Sequence, residues 1–403
     1  MERLRAPQGD VELGCHPRRT NDTRRAWDAA DEYVLAHLAG EPGPGRDDAA
    51  APAEPHDPVD LSGTVVLVND GSGALATVLA GAPGGTRPIV YGDSYRSQLA
   101  TLANLDHNGI EHDRVTLLAS LDPLPDRIDV LVVKVPRTLA LLELQLARLA
   151  PRLHEDSVVV GAGMTKHVHT STIEAFERLI GPTHTSLARK KARLIHSRRD
   201  PALPAPPEPT THTYLAEPDG IVVHHHAGVF ASERLDIGTR FFLEQLPDTG
   251  AGTLRVVDLG CGNGVVGVVV AQQNPDAEVV FVDESFLAVE SARCTAAANL
   301  PADASVEFVV GDGLRWAAGR QPMDRASVDL VFNNPPFHED HALSDATAWQ
   351  MFTDAHMALR SGGQLWVVGN RHLAYHAKLT RIFGNCEVIA SNSKFVVYRA
   401  IRR

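Results

Sequence analysis

The feature that most constrains this chain is a grammar it uses twice. Short apolar runs end on Asp, Asn, Gly or Pro and give way to helical stretches. In the first half the runs are Thr64–Val68, Pro88–Tyr91, Ile128–Val133 and Ser157–Val160. In the second they are Thr253–Leu259, Glu278–Val282, Ser305–Val310, Ser327–Phe332 and Gln364–Val368, followed by a late hairpin over 386–399. Strands that alternate with helices predict an α/β fold built on doubly wound, parallel sheets. A Pro-rich stretch, Pro201 to Pro209, divides the halves, and 403 residues suit two domains. The intervals Asp70–Asp93 and Asp258–Asp283 are nearly equal, and Lys134-Val135-Pro136 falls where the second half has Asn334-Pro335-Pro336. The halves therefore read as a duplication.

Four segments follow. Residues 1–60 read as an N-terminal extension: a polar, Arg-rich start, a helix over Ala26–Leu38, and a Pro/Ala/Gly/Asp-rich linker from Gly40 to Pro58. Residues 61–200 form the first domain, 201–212 a linker, and 213–403 the second domain. A net charge of −12 argues against a protein that coats nucleic acid non-specifically, though not against a local basic patch. The apolar runs are too short to cross a bilayer, and no signal-peptide core stands at the N-terminus, so no membrane partner and a cytoplasmic location are expected. Cys15, Cys261, Cys294 and Cys386 form no paired metal or redox spacing. His224-His225-His226 lies on an extended segment whose successive side chains point to opposite faces, so no metal is expected there.

The chemistry gathers at strand ends of the second half. Asn334-Pro335-Pro336-Phe337 follows the run that ends at Phe332, at the carboxyl edge where open α/β sheets bind ligands. Two prolines stiffen the exit from the strand and leave carbonyls free to accept. Asn334 adds a side-chain acceptor and Phe337 a flat ring, a set suited to a planar amine such as a nucleobase's exocyclic amine. An ordinary Asn-Pro turn is the plainer reading of the tetrapeptide alone. Upstream, Asp258 precedes a turn, Gly260-Cys261-Gly262-Asn263-Gly264, that leads into a helix at Val265. Its glycines let backbone approach a ligand closely. Counted from Gly260, the turn lacks the third glycine of a dinucleotide fingerprint, because residue 265 is Val. Asp283 is placed to accept from a ribose diol, and Asp312 from an adenine amine.

This ordered set resembles the class I S-adenosylmethionine-dependent methyltransferases. Further segments narrow the resemblance: Gly228–Ser232, Leu235–Arg240, Val282–Ser285, Asn334–His338, Gly369–Leu373, Ile382–Cys386 and Ser393–Val397 are similar to the RlmG/RsmC ribosomal RNA guanine-N2 methyltransferases. Lys134–Glu143, Val168–Thr172 and Lys190–Ile195 are closer to the large-subunit type. The similarity spans about residues 60 to 400, leaving the first sixty outside it. It implies two tandem Rossmann-like methyltransferase domains, the N-terminal one degenerate and devoted to RNA binding and support. It also implies S-adenosylmethionine as cofactor, held by Asp258, Gly260, Gly262, Asn263, Gly264, Asp283 and Asp312, with Asn334, Pro335 and Phe337 catalytic. The partner it implies is ribosomal RNA, 23S ahead of 16S. The basic run over 186–199 reads as either a solvated face or an RNA contact. The candidate contacts are Arg189, Lys190, Lys191 and Arg193, together with Lys134.

In this reading the Asn334 side-chain oxygen and the Pro335 carbonyl accept the amine's two hydrogens and aim its lone pair at the methyl donor, while Phe337 stacks on the base. Two alternatives stay open. One is a methyltransferase for another planar amine, adenine N6 or a protein glutamine. The other is a non-enzymatic RNA-binding protein with a retained cofactor pocket.

Overall fold

The structure is a computed structural model that describes residues 1–17, 24–42, 56–206, 211–217, 220–230, 234–250, 252–314, 325–336 and 341–403; for 341–344 it describes the backbone alone. The chain forms two compact units, Met1–Thr210 and Thr211–Arg403. None of the helices among the described residues is long and apolar enough to cross a membrane.

The first unit runs β1 (Glu2–Leu4), β2 (Val11–Leu13), α1 (Ala29–Leu38), β3 (Val65–Val68), α2 (Ala74–Gly81), β4 (Ile89–Gly92), α3 (Tyr95–His107), β5 (Thr116–Ala119), β6 (Ile128–Lys134), α4 (Leu139–Leu149), β7 (Leu153–Met164), α5 (Thr170–Leu179), β8 (Thr183–Thr185) and β9 (Ala192–Ser197). The second runs β10 (His212–Ala216), β11 (Ile221–His225), α6 (Ile237–Leu243), β12 (Arg255–Leu259), α7 (Val265–Gln273), β13 (Glu278–Asp283), α8 (Phe286–Asn299), β14 (Val306–Val310), β15 (Val328–Asn333), α9 (His341–Ala358), β16 (Leu359–Asn370), α10 (Tyr375–Phe383), β17 (Glu387–Ser391) and β18 (Phe395–Ile401).

Each unit carries one seven-stranded sheet, ordered β5-β4-β3-β6-β7-β9-β8 and β14-β13-β12-β15-β16-β18-β17. Five strands of each are parallel, and the sixth in order, β9 or β18, runs antiparallel to both of its neighbours. The sheets are therefore mixed rather than purely parallel. Strands with both faces covered are apolar throughout: Val65-Val66-Leu67-Val68 is buried at every position. The β-branched run of α7 is helical despite weak propensity, because it is buried on nearly all sides. Gly267 on that helix faces Phe281 of β13, where a Cβ would come within 2.3 Å of the ring.

The described part of residues 1–60 is not a free extension, while most of the expected Gly40–Pro58 linker lies outside the described residues. Leu4, Leu13, Trp27, Val34, Leu35 and Leu38 are buried in the same core as Val65 and Leu67. The duplication reaches into this segment. Asn108 of α3 exchanges two hydrogen bonds with the Glu12 backbone, as Asn299 of α8 does with Val222. Asp28 caps α1 as Asp236 caps α6. The hairpin β1–β2 with α1 is thus the first unit's version of β10–β11 with α6. Alternating-strand patterning could not show this, since these strands are three residues long.

The structure also corrects the pairing of the two halves. Asn69 N–H donates to the Tyr91 carbonyl, as Gly260 N–H donates to that of Val282. Gly73 and Gly264, at φ +69° and +80°, each open a helix in the left-handed region. Asp70 therefore corresponds to Cys261, not Asp258, and the strand registers carry the alignment outward. Leu67, Gly92 and Leu121 occupy the places of Asp258, Asp283 and Asp312, and Asn69 that of Gly260.

Lys134 does correspond to Asn334, but its charge is engaged within the fold rather than left open for RNA. Its side chain is half-buried, and Nζ reaches Asp31 Oδ1 at 2.6 Å and Asp28 Oδ1 at 3.0 Å, fastening β6 to α1. Burial opposes the lysine charge, yet the two carboxylates outweigh it and hold the pKa above the ordinary lysine value. Removing one partner of such a pair strands the other charge. Lys134→Met should lower the unfolding free energy of the full chain by about 3 kcal/mol in denaturant titrations while leaving RNA affinity of the folded protein unchanged. Wild-type stability with weakened RNA binding would reverse this assignment.

Candidate active site

In the second unit the carboxyl ends of β12, β13 and β15 stand side by side, because Leu259 is in register with both Val282 and Asn333. The strand order reverses direction at β12 and β15, which makes this the switch point of the sheet. The glycine turn is sewn to its neighbours by backbone bonds. Gly260 and Cys261 N–H both donate to the Val282 carbonyl, at 2.7 and 3.0 Å. Gly262 N–H donates to Asp283 Oδ2 at 3.0 Å, and Ser285 N–H to Oδ1 at 3.0 Å. Asp283 is thereby held at both oxygens, and a carboxylate with about four acceptor sites still has capacity for a diol.

Gly262 sits at φ +54° with nothing within 4 Å of where a Cβ would stand, so its open side faces free space. Gly264 answers a different need: a Cβ there would lie 2.8 Å from Ala292 of α8. Asn263 is buried, and its Nδ2 donates to the Tyr214 hydroxyl of β10 at 3.3 Å. Asp258 is buried and accepts from Gly267 N–H in the first turn of α7 at 2.9 Å. Burial pushes its carboxyl up to about 7, so Asp258 braces the turn. Asp312 is buried two residues beyond β14.

At the end of β15, Asn333 Nδ2 donates to the Leu259 carbonyl at 2.6 Å. Asn334 Nδ2 donates to Thr239 Oγ1 on α6 at 3.0 Å. With Thr239 Oγ1 as the acceptor of that bond, Asn334 Oδ1 is left buried with no hydrogen-bond partner among the described residues. A buried acceptor without a donor is costly, and a ligand amine would satisfy it. Pro335 is buried behind it. Phe337 lies outside the described residues. Thr239 and Tyr214 carried no predicted chemistry. Thr239 stood within Leu235–Arg240, a segment noted only for its resemblance, and its role depends on a contact 95 residues away in sequence.

The basic run divides. Lys190 Nζ pairs with Glu32 Oε2 at 2.7 Å, and the Arg189 guanidinium lies 5.8 Å from the Tyr33 ring centroid, both holding α1. Arg193 is half-buried within β9, and Lys191 is exposed. Among the described residues no cluster of three or more His, Cys, Asp or Glu has a geometry that could hold a metal ion.

Two family models cover the chain: "RLMG N-terminal domain" over residues 1–201 and "Methyltransferase small domain" over 220–399. Ribosomal RNA large subunit methyltransferase G of Streptomyces griseus is 54% identical over all of both chains. The protein of that name from Streptomyces coelicolor is 53% identical over 99% of this chain and 100% of its own. That of Yersinia pseudotuberculosis serotype O:1b is 44% identical over 96% and 91%. The chain belongs to the ribosomal RNA large subunit methyltransferase G family. Members of this family are S-adenosylmethionine-dependent methyltransferases, and so is this chain. Its first sixty residues lie inside the family pattern, contrary to the sequence reading. The fold is also that of the Thermus thermophilus 16S rRNA N2 G1207 methyltransferase (RsmC), solved with AdoMet and guanosine, at a TM-score of 0.72 and 20% identity over 100% of this chain and 98% of that one.

Family membership also settles a point that the glycine count did not. Read from Gly262, the turn does follow Gly-x-Gly-x-x-Gly through Gly264 and Gly267. The missing third glycine was thus a product of starting at Gly260. The residues present fit S-adenosylmethionine: a carboxylate at Asp283 on the end of β13, a buried carboxylate at Asp312, and open space before Gly262.

If Asn334 receives the substrate amine, Thr239 acts through it as a positioning residue. Thr239→Val, which keeps the volume and loses the hydroxyl, should lower kcat about 100-fold with cofactor affinity unchanged, and Thr239→Ser should restore it. Wild-type turnover in the valine variant would refute the role.

Proposed function

We propose that the second unit transfers the methyl group of S-adenosylmethionine to the exocyclic N2 amine of a guanine in ribosomal RNA. We take 23S RNA as the substrate and the cytoplasm as the place. The observation that carries this reading is the buried, unpartnered Asn334 Oδ1, oriented by Thr239. The names of the relatives supply the RNA, since they are large-subunit ribosomal RNA enzymes.

Guanine's amine delocalises its lone pair into the ring and is a poor nucleophile. It has two N–H groups, and two acceptors fix both. Asn334 Oδ1 takes one and the Pro335 carbonyl the other, so the nitrogen lone pair is directed out of the base plane. The cofactor supplies an electrophilic sulfonium methyl in line with it. Positioning and aligned dipoles carry the rate enhancement, with no strong base beside the amine. The proton leaves to solvent after transfer. Asp283 and Asp312 hold the ribose and adenine ends of the cofactor, with the Gly262 backbone against it. Phe337 supplies the stacking face, and the base must leave any helix to reach it.

The same two acceptors would suit adenine N6 or a glutamine amide. The family's ribosomal RNA names favour a nucleobase over a glutamine amide, and the resemblance of the site segments to guanine-N2 methyltransferases favours guanine over adenine. Only the second unit is catalytic in this reading, because Leu67, Gly92 and Leu121 remove the carboxylates from the first.

Labelled S-adenosylmethionine, undermodified 23S and 16S RNA and assembled subunits, followed by nucleoside analysis, test the proposal. Wild type should yield N2-methylguanosine in 23S RNA, and Asn334→Ala should lose about 100-fold or more in kcat while binding cofactor normally. Methylation of another base, or full turnover by the variant, would overturn the substrate or the role of Asn334 respectively.

A further inference from the structure

A second feature lies at the same sheet edge, one strand beyond Asn334. β16 ends at Asn370, which pairs with Phe395 at the start of β18. The turn after β16 and the loop before β18 enclose a pocket of about 450 Å³ lined by Asn370, Arg371, His372, Ser393 and Lys394. We propose that this pocket binds backbone phosphate of the RNA beside the target guanosine. The proposal rests on the reading of the neighbouring site as an RNA methyltransferase centre.

Its place is right for such a contact. Asn333 is level with Val367, so Asn370 stands two residues beyond the level of Asn334 on the adjacent strand. Strands about 4.8 Å apart with a rise of about 3.3 Å per residue put the two roughly 8 Å apart. The elements are also in contact: a Cβ on Gly238, the neighbour of Thr239, would meet the Phe395 ring at 2.9 Å, and Phe395 follows Lys394.

Its chemistry is right as well. No carboxylate lines the pocket. Arg371 donates from Nη2 to the Asn392 carbonyl at 2.6 Å, which leaves most of its five N–H groups for a ligand. Lys394 Nζ lies 5.2 Å from the Phe395 centroid, and neither cation is in an ion pair among the described residues. The first unit supplies the contrast. Arg371 N–H bonds to the Lys394 carbonyl as Thr165 N–H bonds to that of Lys191, so the corner is duplicated. There, however, the counterpart of Arg371 is the neutral Thr165, so Lys191, the counterpart of Lys394, stands exposed without a cation in the place of Arg371. In a chain of net charge −12, two adjacent cations with no acidic partner, beside a site for a nucleobase, suit a phosphate better than they suit bulk water.

The experiment compares the full-length wild type with Arg371→Ala/Lys394→Ala in binding two unrelated single-stranded RNAs across a range of KCl concentrations. Each lost phosphate contact should flatten the plot of log affinity against log salt by about 0.7, so the double variant should lose about 1.4. Affinity for both RNAs should fall about tenfold at low salt, with S-adenosylmethionine binding unchanged. Lys394→Gln alone, at an exposed side chain, should lose about 0.7 and serves if the double variant does not fold. An unchanged slope would overturn the proposal, as would a loss confined to one RNA sequence, which would mean base contacts. Binding needs no turnover. Failure of guanine methylation in the wild type would therefore sink the proposed reaction and leave this inference to stand or fall on the salt slope.

Discussion

The site depends on a single hydrogen bond between two elements far apart in sequence, from Asn334 Nδ2 to Thr239 Oγ1. A primary amide offers an acceptor at one end and donors at the other, and a substrate amine can use only the acceptor. Left free, the amide could present either end. The Thr239 hydroxyl takes one donor, and the stiff Pro335-Pro336 exit keeps the backbone from following any rotation. The parallel register that sets Leu259, Val282 and Asn333 at one level then brings the carboxylate of Asp283 and the open face of Gly262 to the same edge.

The first unit shows how the same frame serves another end. Lys134 occupies the place of Asn334, and Asp31 occupies the third position of α1 as Thr239 does on α6. A neutral bond that presents an acceptor has become an ion pair that presents nothing. Asn69, in the place of Gly260, turns its side chain to Gln145 and to the Lys134 carbonyl. Side chains of the protein itself occupy the edge where the second unit would receive a ligand. The two contacts sit at matching points of a duplicated hairpin, helix and sheet, and the duplication therefore includes residues 1–40.

Much of the catalytic unit was legible because its chemistry is local. Asp258, Asp283, Asp312 and Asn334 each lie within two residues of the end of an apolar run, so run and residue are read together in the chain. The three-residue strands β1 and β2 were missed because so short an element leaves no period to read. Lys134 was misread because its partners lie 103 and 106 residues upstream, across a low-complexity stretch. The pairing of Asp70 with Asp258 failed for a subtler reason. Two acids at similar intervals from the next strand look equivalent until the backbone bonds of Asn69 and Gly260 fix the register. Sequence intervals count residues, whereas hydrogen bonds identify positions.

The distribution of cations follows from the same division of labour. A strongly acidic chain that must engage a polyanion cannot rely on its overall field, so each lysine or arginine acts according to its immediate neighbours. Basic residues near α1 face Asp28, Asp31 and Glu32, and their charge is neutralised within the fold. Arg371 and Lys394 emerge at a sheet edge where the pocket is otherwise lined by Asn370, His372 and Ser393, with no carboxylate among them. A basic run in sequence therefore says little about nucleic acid until the location of the acids is known. In this chain Arg189 and Lys190 of the long run serve the fold while Lys191 stays exposed, and the pair we assign to a phosphate never formed a run.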